Sequence, residues 1–328
     1  MQLKKLIDII ESFAPPELAL EWDKCGIQVA GNKHEVKSMA LALDPDEQTI
    51  QKAVDLQTDF LLTHHPLALK PRLPDRPDSF HRIIKNLLTA DTTLYSAHTS
   101  LDINPGGPAT WLAKKLKLNK NEVLDPVFIR KAAKLSFQEP IHLPVEDVPC
   151  RDIIIKTSKN IQGLITEVVL PPHQVDLFLQ QLRQIVWPFN FLMTESPKDF
   201  QHYGLGFTGS LPEAVTFEMF TDNLKNILGL EKIIQIGDAP EKVQMISCCP
   251  GSGGDLACKA FHSGAQVFIT GDMKYHQGKD SSEHGCVLDV GHFILEEKMM
   301  FEWFLLLKHQ IVDMDIYFIE GKSPFKIL

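Results

Sequence analysis

Two adjacent histidines, His64 and His65, stand at the end of an apolar run and directly before a proline. The run, residues 58–63, is typical of a buried strand, and strand ends in α/β folds are where ligands and metals collect. Imidazole is also the commonest metal-binding side chain. Successive strand side chains point to opposite faces, and Pro66 keeps the chain extended or turning here. We therefore expect the pair to splay around something at the strand tip, such as two metal ions side by side.

Three further clusters of histidine with Asp or Glu follow other predicted strands. An isolated residue of this kind more often caps a helix or lies on the surface, and Asp272 has that alternative as the cap of a helix near Lys274. The recurrence of the pattern at four strand ends favours a common site. The clusters are His98 and Asp102 after 92–97, Asp272 and His276 after 265–270, and His292 and Glu296 after 286–290.

The residue types in these clusters indicate divalent-metal chemistry. Imidazole and carboxylate without cysteine suit Zn, Mn or Fe in a hydrolytic centre. His292 and Glu296 are four apart, so on a helix beginning near residue 291 they would share one face. Glu296 could be a carboxylate shared between two ions, because metals about 3.5–4 Å apart need a common anion. The chain has no H-E-x-x-H motif and no G-x-S-x-G elbow, which argues against those two enzyme classes.

Helix-like and strand-like segments alternate through the first part of the chain, which is typical of an α/β fold. For the second helix, Asp44 is the expected cap, with Pro45 in the first turn. The predicted helices are 2–14, 46–57, 79–90 and 108–117, and the predicted strands are 38–44, 58–63 and 92–97.

The middle of the chain differs in character, since residues 125–210 hold eight of the 21 prolines. Strands at 152–156 and 164–170 and a helix at 173–186 indicate a small inserted β-α-β module. Regular alternation then resumes. Its predicted helices are 216–229, 254–264, 275–285 and 293–308, and its strands are 243–249, 265–270, 286–290 and 315–320.

Two short motifs each leave two interpretations open. The glycine-rich turn at 250–254 joins a strand to a helix and could present backbone N–H groups to a phosphate. It lacks the lysine of a P-loop, and tight packing is the favoured interpretation. Trp22 and Asp23 follow the first helix; they could reach the rim of a site, or form a turn anchored by a buried tryptophan.

Size and composition exclude several classes of protein. A chain of 328 residues suits two domains with an insertion, and 44% hydrophobic and 23% charged residues are ordinary for a globular protein. A net charge of −9 argues against nucleic-acid binding. No apolar run approaches the ~20 residues of a membrane span. The N-terminus lacks a signal-peptide pattern, so a cytoplasmic location is expected.

Taken together, these residues resemble the NIF-three-like family, whose members are also called dinuclear metal-centre proteins or GTP cyclohydrolase 1 type 2 homologues. The resemblance covers about residues 1–125 and 203–328. The motifs that carry it are Glu21-Trp22-Asp23, Thr63-His64-His65-Pro66, Ala97-His98-Thr99 with Leu101-Asp102, Gly251-Ser252-Gly253-Gly254, Thr270-Gly271-Asp272 with Tyr275-His276, and Gly291-His292 with Glu296.

The resemblance implies two divalent ions per subunit, Zn, Fe or Mn. His98 and His276 match family positions near the site, and we assign them to catalysis, through proton transfer or substrate contact. The positions that match the metal ligands of the family are His64, His65, Asp102, His292 and Glu296.

The resemblance also implies two α/β domains that face each other across a cleft, and a ring-shaped homohexamer. Longer members carry an inserted domain like the PII signalling proteins, and residues 150–200 look like a shortened version. The usual Trp-Asp-Asn-x-Gly appears here as Trp22-Asp23-Lys24-Cys25-Gly26, so any role of that Asn does not carry over. The predicted division is 1–125 with 290–328 for the domain carrying most ligands, 126–202 for the inserted module and 203–289 for the second α/β domain.

The leading hypothesis for function is a divalent-metal-dependent hydrolase, with GTP cyclohydrolase-type opening of a purine ring by metal-activated water as its specific form. The choice of a nucleotide substrate rests on the family name alone. The alternative is a non-enzymatic, ring-shaped metal-binding scaffold or interaction protein. Open coordination positions around two ions with five ligands favour catalysis, because structural sites are closed.

Overall fold

The computed structural model describes residues 1–137, 154–160, 163–185 and 190–326. Its helices and strands confirm the predicted α/β fold class. The helices are α1 Leu3–Phe13, α2 Glu47–Asp55, α3 Ser79–Ala90, α4 Thr99–Asp102, α5 Trp111–Lys115, α6 Val175–Ile185, α7 Phe217–Leu228, α8 Ala257–His262, α9 Tyr275–Ser281 and α10 His292–Gln310.

The strands of the described residues form two sheets. Their bounds are β1 Gly26–Val29, β2 Ser38–Ala42, β3 Phe60–Thr63, β4 Thr93–Ser96, β5 Asn119–Phe137, β6 Ile154–Asn160, β7 Gly163–Leu170, β8 Phe191–Thr216, β9 Ile234–Ile236, β10 Lys242–Cys248, β11 Val267–Thr270, β12 Cys286–Asp289 and β13 Asp315–Phe318.

The first sheet has five strands in the order β1-β4-β3-β2-β13. β13, β2, β3 and β4 are parallel, and β1 pairs with β4 in the antiparallel sense. Thr63 at the end of β3 is level with Ala42 on one side and Ser96 on the other. The residues that follow β3 and β4 therefore leave the sheet at the same edge, where sites form in α/β folds.

The second sheet has eight strands in the order β6-β7-β5-β8-β10-β11-β12-β9. β10, β11 and β12 are parallel, and the other neighbours are antiparallel. β5 and β8, of 19 and 26 residues, run without interruption through positions 125 and 202. One sheet thus contains both the predicted second domain and most of the predicted insert, and the division into domains stays a prediction.

One apolar core joins the two sheets. It contains Leu41 and Leu62 of the first sheet and Ile246 and Leu288 of the second, together with the buried faces of α1 and α10. Trp303 of α10 is fully buried against the ring of Phe13 in α1, with ring centroids 6.0 Å apart. Because apolar burial is the main favourable term in folding, this shared core fixes the ends of the two sheets relative to each other.

The other face of the first sheet is covered by α2 and α3. Ala40 and Leu61 of the sheet pack there with Ile50 of α2 and with Ile83 and Leu87 of α3. Strands buried on both faces need near-continuous apolar sequences. This explains why β2 and β3 could be recognised from the sequence.

The inserted region has a small core of its own. Leu135 of β5 and Val168 of β7 pack there on Phe178 and Leu182 of α6. The predicted strands 152–156 and 164–170 and the predicted helix 173–186 correspond to β6, β7 and α6, and β6 and β7 pair as a hairpin. β8 follows α6 and was not predicted. The first two residues of the predicted strand 152–156 and the last of the predicted helix 173–186 lie outside the described residues.

One capping prediction was wrong. The N-cap of α2 is Asp46, whose Oδ1 accepts a hydrogen bond from Thr49 N–H at 2.7 Å. Asp44 lies two residues too early to reach that amide, and it contacts His65 instead. An N-cap carboxylate satisfies an amide that has no partner within the helix.

We predict that Asp46→Ala lowers the free energy of unfolding by about 1 kcal/mol, because it removes this cap. Urea unfolding followed by circular dichroism measures the effect. Asp46→Asn is the matched control, since asparagine caps as well as aspartate. Equal destabilisation by both substitutions would contradict the capping role.

Candidate metal centre

Four imidazoles come together where the two sheets meet. His64 and His65 follow β3, His98 follows β4, and His292 begins α10, directly after β12. The ring centroids of His64 lie 5.1 Å from those of both His65 and His98, and the rings of His65 and His292 are 5.7 Å apart. The residues at these three strand ends are therefore brought together, as expected.

The backbone around His64 and His65 continues the parallel ladder beyond β3. His64 N–H donates to Ala42 O at 3.3 Å, and His65 N–H donates to Leu43 O at 3.0 Å. His64 is completely buried, whereas His65 is partly accessible. The two adjacent side chains thus reach the same centre from different depths.

Each of the four imidazoles uses Nδ1 to contact an oxygen outside the centre. Because a carbonyl or carboxylate oxygen only accepts, Nδ1 carries a proton, and in the neutral imidazole Nε2 has the lone pair. Outer contacts of this kind orient metal-binding histidines. The contacts are His64 with Ala97 O at 2.9 Å, His65 with Asp44 Oδ1 at 2.7 Å, His98 with Asp23 Oδ1 at 3.0 Å and His292 with Asp272 Oδ2 at 2.8 Å.

The carboxylate of Glu296 lies among three of the free Nε2 atoms. Its Oε2 is 2.7 Å from His292 Nε2 and 3.1 Å from His65 Nε2. Its Oε1 is 3.7 Å from His64 Nε2, which is also 3.6 Å from Asp102 Oδ1. Glu296 therefore contributes one oxygen to each of two groups of atoms. Oε1 lies near His64, which also contacts Asp102, and Oε2 lies near His65 and His292.

The hydrogen-bond geometry fits a cation at this place. Within the described residues, buried polar atoms without a hydrogen-bond partner include His64 Nε2, Asp102 Oδ1, His292 Nε2 and Glu296 Oε2. The short distance between His292 and Glu296 does not have hydrogen-bond geometry, so these atoms converge without satisfying each other. Buried polar atoms normally have partners, and a set that lacks protein partners in one place fits a cation as the shared partner. The cluster could hold metal, both through His64, His65 and His98 and through His65, His292 and Glu296.

Two glycines allow the backbone to approach the start of α10. A Cβ on Gly271 would lie 2.3 Å from His292 N, and a Cβ on Gly251 would lie 2.3 Å from Glu296 Oε1. Gly251 belongs to the glycine-rich turn after β10, and its φ of +71° also favours glycine. The favoured interpretation of that turn, tight packing, thus has a specific contact, with Glu296.

Asp102 is positioned by α4, a single helical turn. The first amide of that turn, Thr99 N–H, donates to Asp23 Oδ2 at 2.9 Å. Asp23 therefore caps α4 from a distant part of the sequence, and the turn ends at Asp102, which faces His64.

Charge in the centre shifts several pKa values. Burial on its own would lower the pKa of His65, but the hydrogen bond to Asp44 and the nearby charge of Glu296 outweigh burial and raise that pKa to about 10. Glu296 and Asp272 raise the pKa of His292 to about 9. Burial would raise the pKa of Glu296, but the nearby imidazoles outweigh burial and lower it well below its usual value. Without metal, protons on the histidines compensate the buried carboxylate.

Two predicted positions behave differently from the rest. His276 is exposed on α9, and the ring contact it makes among the described residues is with Tyr275. The structure therefore does not join it to the other histidines. Trp22 is 55% exposed, with its ring edge 5.8 Å from the ring of His98. The interpretation of Trp22 as a buried anchor is wrong, because its ring lies at the rim of the centre.

The sequence did not identify three carboxylates that hold the imidazoles. Asp44 was expected to cap a helix, and a cap was the alternative for Asp272. Asp272 has a φ of +55°, which is uncommon outside glycine and places its side chain against His292. Asp23 can be recognised as a candidate from the sequence, since it belongs to the motif Glu21-Trp22-Asp23. Its partner is 75 positions away, which spacing alone does not reveal.

The fold and this cluster define a class of α/β protein with a His/Glu group that could bind metal. The sequence profile of the family described as Duf34/NIF3 (NGG1p interacting factor 3) matches residues 1–324. The chain therefore belongs to the NIF3 family, which confirms the resemblance drawn from the motifs.

Named relatives and solved structures agree with this assignment. The chain is 27% identical to a Bacillus subtilis protein named GTP cyclohydrolase 1 type 2 homolog, covering 91% of this chain and 90% of the relative. A Listeria monocytogenes protein of the same name is also 27% identical, with 89% and 88% covered. The structure of a Bacillus cereus protein related to NIF3 has a TM-score of 0.77 at 23% identity, covering 100% of this chain and 99% of the other. Reduced HcgD from Methanocaldococcus jannaschii has a TM-score of 0.67 at 23% identity, with 98% of both chains covered.

Within the described residues, none of the helices has both the length and the apolar character needed to cross a membrane.

We predict that the stability of the metal-free protein falls as the pH rises from about 7 to about 10. The folded pKa values of His65 and His292, about 10 and about 9, lie above the ordinary value of 6.5. The folded state then holds more protons than the unfolded state in this window, so raising the pH favours unfolding. Urea unfolding at a series of pH values measures the slope.

The loss of stability with rising pH should be smaller in Glu296→Gln, because this substitution removes the charge that raises the pKa values of His65 and His292. Glu47→Gln is the control, because that carboxylate pairs with Arg82 at the surface and does not titrate in this window. The same slope in Glu296→Gln as in the unmodified protein would contradict the explanation.

Proposed function

We propose that this NIF3 family protein is a divalent-metal-dependent hydrolase with two metal ions in the centre around Glu296. The observation that carries the proposal is the convergence of buried nitrogen and oxygen atoms that have no hydrogen-bond partner. Imidazole and carboxylate ligands suit Zn, Fe or Mn.

The ligands divide into two sets that share Glu296. One ion would be held by His64, Asp102 and Glu296 Oε1, and the other by His65, His292 and Glu296 Oε2. Support comes from the distances of 3.6 and 3.7 Å in the first set and of 2.7 and 3.1 Å in the second. Three protein ligands to each ion would leave coordination positions open, which is characteristic of catalytic rather than structural sites.

The bound ions would supply Lewis acidity, which makes water a nucleophile at neutral pH and polarises the substrate. The protein's own residues do the rest. Asp44 and Asp272 hold the imidazoles of His65 and His292 through their Nδ1 atoms. His98 has a free Nε2 at the same centre and can accept the proton that the attacking water releases.

The substrate we propose is a nucleotide, with GTP cyclohydrolase-type opening of the purine ring at C8. This finer assignment rests on the name of the relatives. His276 stays a predicted substrate contact, since its exposed place on α9 makes it available to a ligand rather than to the buried atoms. A cytoplasmic location likewise stays a prediction from the sequence.

We predict two divalent ions per chain in protein purified without chelator or nickel resin, measured by plasma mass spectrometry. Glu296→Gln should lose both ions, because both ligand sets depend on that carboxylate. Glu297→Gln is the matched control: it changes the next buried carboxylate of α10, which accepts from Gly321 N–H at 2.8 Å and not from the histidines. Retention of both ions by Glu296→Gln would contradict the shared-ligand arrangement.

The same variants test the reaction. Metal-replete protein should open or hydrolyse GTP, and His65→Ala and Glu296→Gln should each abolish this activity while Glu297→Gln retains it. Nucleotide products are separated by chromatography, and circular dichroism checks the fold. Metal binding without turnover of any nucleotide would favour the scaffold alternative. Unchanged activity in both site variants would contradict the two-metal mechanism.

We also propose that the chain assembles as a homohexamer, as the family resemblance implies. The exposed apolar side chains Phe301 and Leu305 of α10 and Val312 after it are consistent with contacts between subunits. Light scattering coupled to size-exclusion chromatography should give a mass of about six times 37.0 kDa. A monomeric mass at micromolar concentration would contradict the assembly.

A further inference from the structure

Asp23 is a buried carboxylate whose oxygens are fully used. Its side chain is inaccessible to solvent. Oδ1 accepts from Lys24 N–H at 2.7 Å and from His98 Nδ1–H at 3.0 Å. Oδ2 accepts from Thr99 N–H at 2.9 Å, from the Thr99 hydroxyl at 2.5 Å and from the Cys25 thiol at 3.2 Å. Burial on its own would raise the pKa of Asp23, but the bonds from His98 and Thr99 outweigh burial and lower it.

The contact with Asp23 decides the tautomer of His98. An ionised carboxylate only accepts, so Nδ1 must carry the proton and Nε2 must have the lone pair. The side chain of His98 is 16% exposed, so the imidazole is not fully enclosed. Trp22 lies against the ring on another side, edge to face. Rotation of the imidazole is therefore restricted by two neighbours from one short segment.

In the part of the chain that the structure describes, His98 lies beside the other histidines of the centre but forms no ion pair with Glu296. A ring nitrogen of His98 lies within 4.8 Å of ring nitrogens of His64 and His65. Among the described residues, the ion pair of His98 is with Asp23, whereas the other three imidazoles each pair with Glu296. His98 is thus the imidazole that the shared carboxylate leaves free.

We propose that Asp23 is a positioning residue that holds His98 with Nε2 facing the centre as a proton acceptor. The proposal rests on the hydrolase function proposed above. In the hydrolytic step, the oxygen of water forms a bond to C8 of the purine, and the π bond between C8 and a ring nitrogen opens, with its electron pair moving to that nitrogen. One O–H bond of the water breaks at the same time, and that proton moves to His98 Nε2. Asp23 stays ionised, and its bond to Nδ1–H stabilises the resulting imidazolium.

Asp23 also caps α4, so its test must separate orientation of His98 from support of Asp102. Thr99→Val is the matched control, because it removes the hydroxyl bond to Asp23 Oδ2 and keeps both the backbone cap and the contact of Asp23 with His98. His98→Asn removes the imidazole itself. In Asp23→Asn, the amide can donate to Nδ1 and so favour the opposite tautomer.

The first measurement needs no substrate. Protein labelled with ¹⁵N-histidine and loaded with zinc is examined by NMR, and His98→Asn assigns the His98 signals. We expect the Nδ1–H tautomer for His98 in the unmodified protein and in Thr99→Val, and loss of that tautomer in Asp23→Asn. The same tautomer in all three proteins would overturn the proposal.

The second measurement uses GTP turnover in metal-replete protein. Asp23→Asn should lower kcat by about 10²-fold or more, the usual contribution of a positioned base, with little change in KM and with both ions retained. Asp23→Asn in the His98→Asn background should have no further effect, since Asp23 acts through His98. Additive losses, or loss of metal from Asp23→Asn or His98→Asn, would overturn the proposal.

The two measurements distinguish the positioning role from the reaction. Absence of GTP turnover in the unmodified protein contradicts the proposed substrate, and the tautomer of His98 then decides the role of Asp23 by itself. A tautomer change in Asp23→Asn without an effect on measurable turnover would overturn the catalytic part of the proposal.

Discussion

The structure depends on the burial of one carboxylate, Glu296, against three imidazole nitrogens. A buried ionised group is costly unless it is paired, and a neutral imidazole with its proton on Nδ1 cannot pair with Glu296 unless Nε2 gains a second proton or a metal ion. His64, His65 and His292 all use Nδ1 on outer oxygens, which directs a lone pair toward Glu296. A cation among these atoms removes the conflict. The fold therefore maintains an arrangement that is favourable only when something positive is bound.

The two sheets make this arrangement rigid. β3 and β4 deliver three histidines at one edge of a parallel sheet, and the start of α10 delivers His292 and Glu296 from the second sheet. The common core around Trp303 fixes these two sources relative to each other. Gly271 packs closely on the backbone of His292, without room for a Cβ, at the start of α10. Packed interiors resist small displacements, so the spacing of the ligand atoms follows from the core.

Whether a residue of this centre can be predicted from the sequence depends on how far apart along the chain the contacting residues lie. His64, His65 and the pair His292 and Glu296 follow from local patterns, because strand ends and helical spacing are read directly from neighbouring residues. Buried strands such as β3 were recognised for the same reason. β5 and β8 were not, since they are long, partly polar and interrupted by prolines, and their pairing is set by distant residues. The bond from Asp23 to His98 joins two loops, and no periodicity encodes it.

Protons and metal ions compete for the same lone pairs, and this gives the outer carboxylates two effects. Asp44 and Asp272 fix Nδ1–H, which presents Nε2 to a metal, yet their charge also favours protonation of that Nε2 when no metal is present. The metal-free centre is thus stabilised by protons on His65 and His292, which balance Glu296. A divalent ion that binds at this centre would have to displace those protons, because only the neutral imidazole binds metal. The same outer carboxylates would therefore couple binding of a metal ion to release of protons.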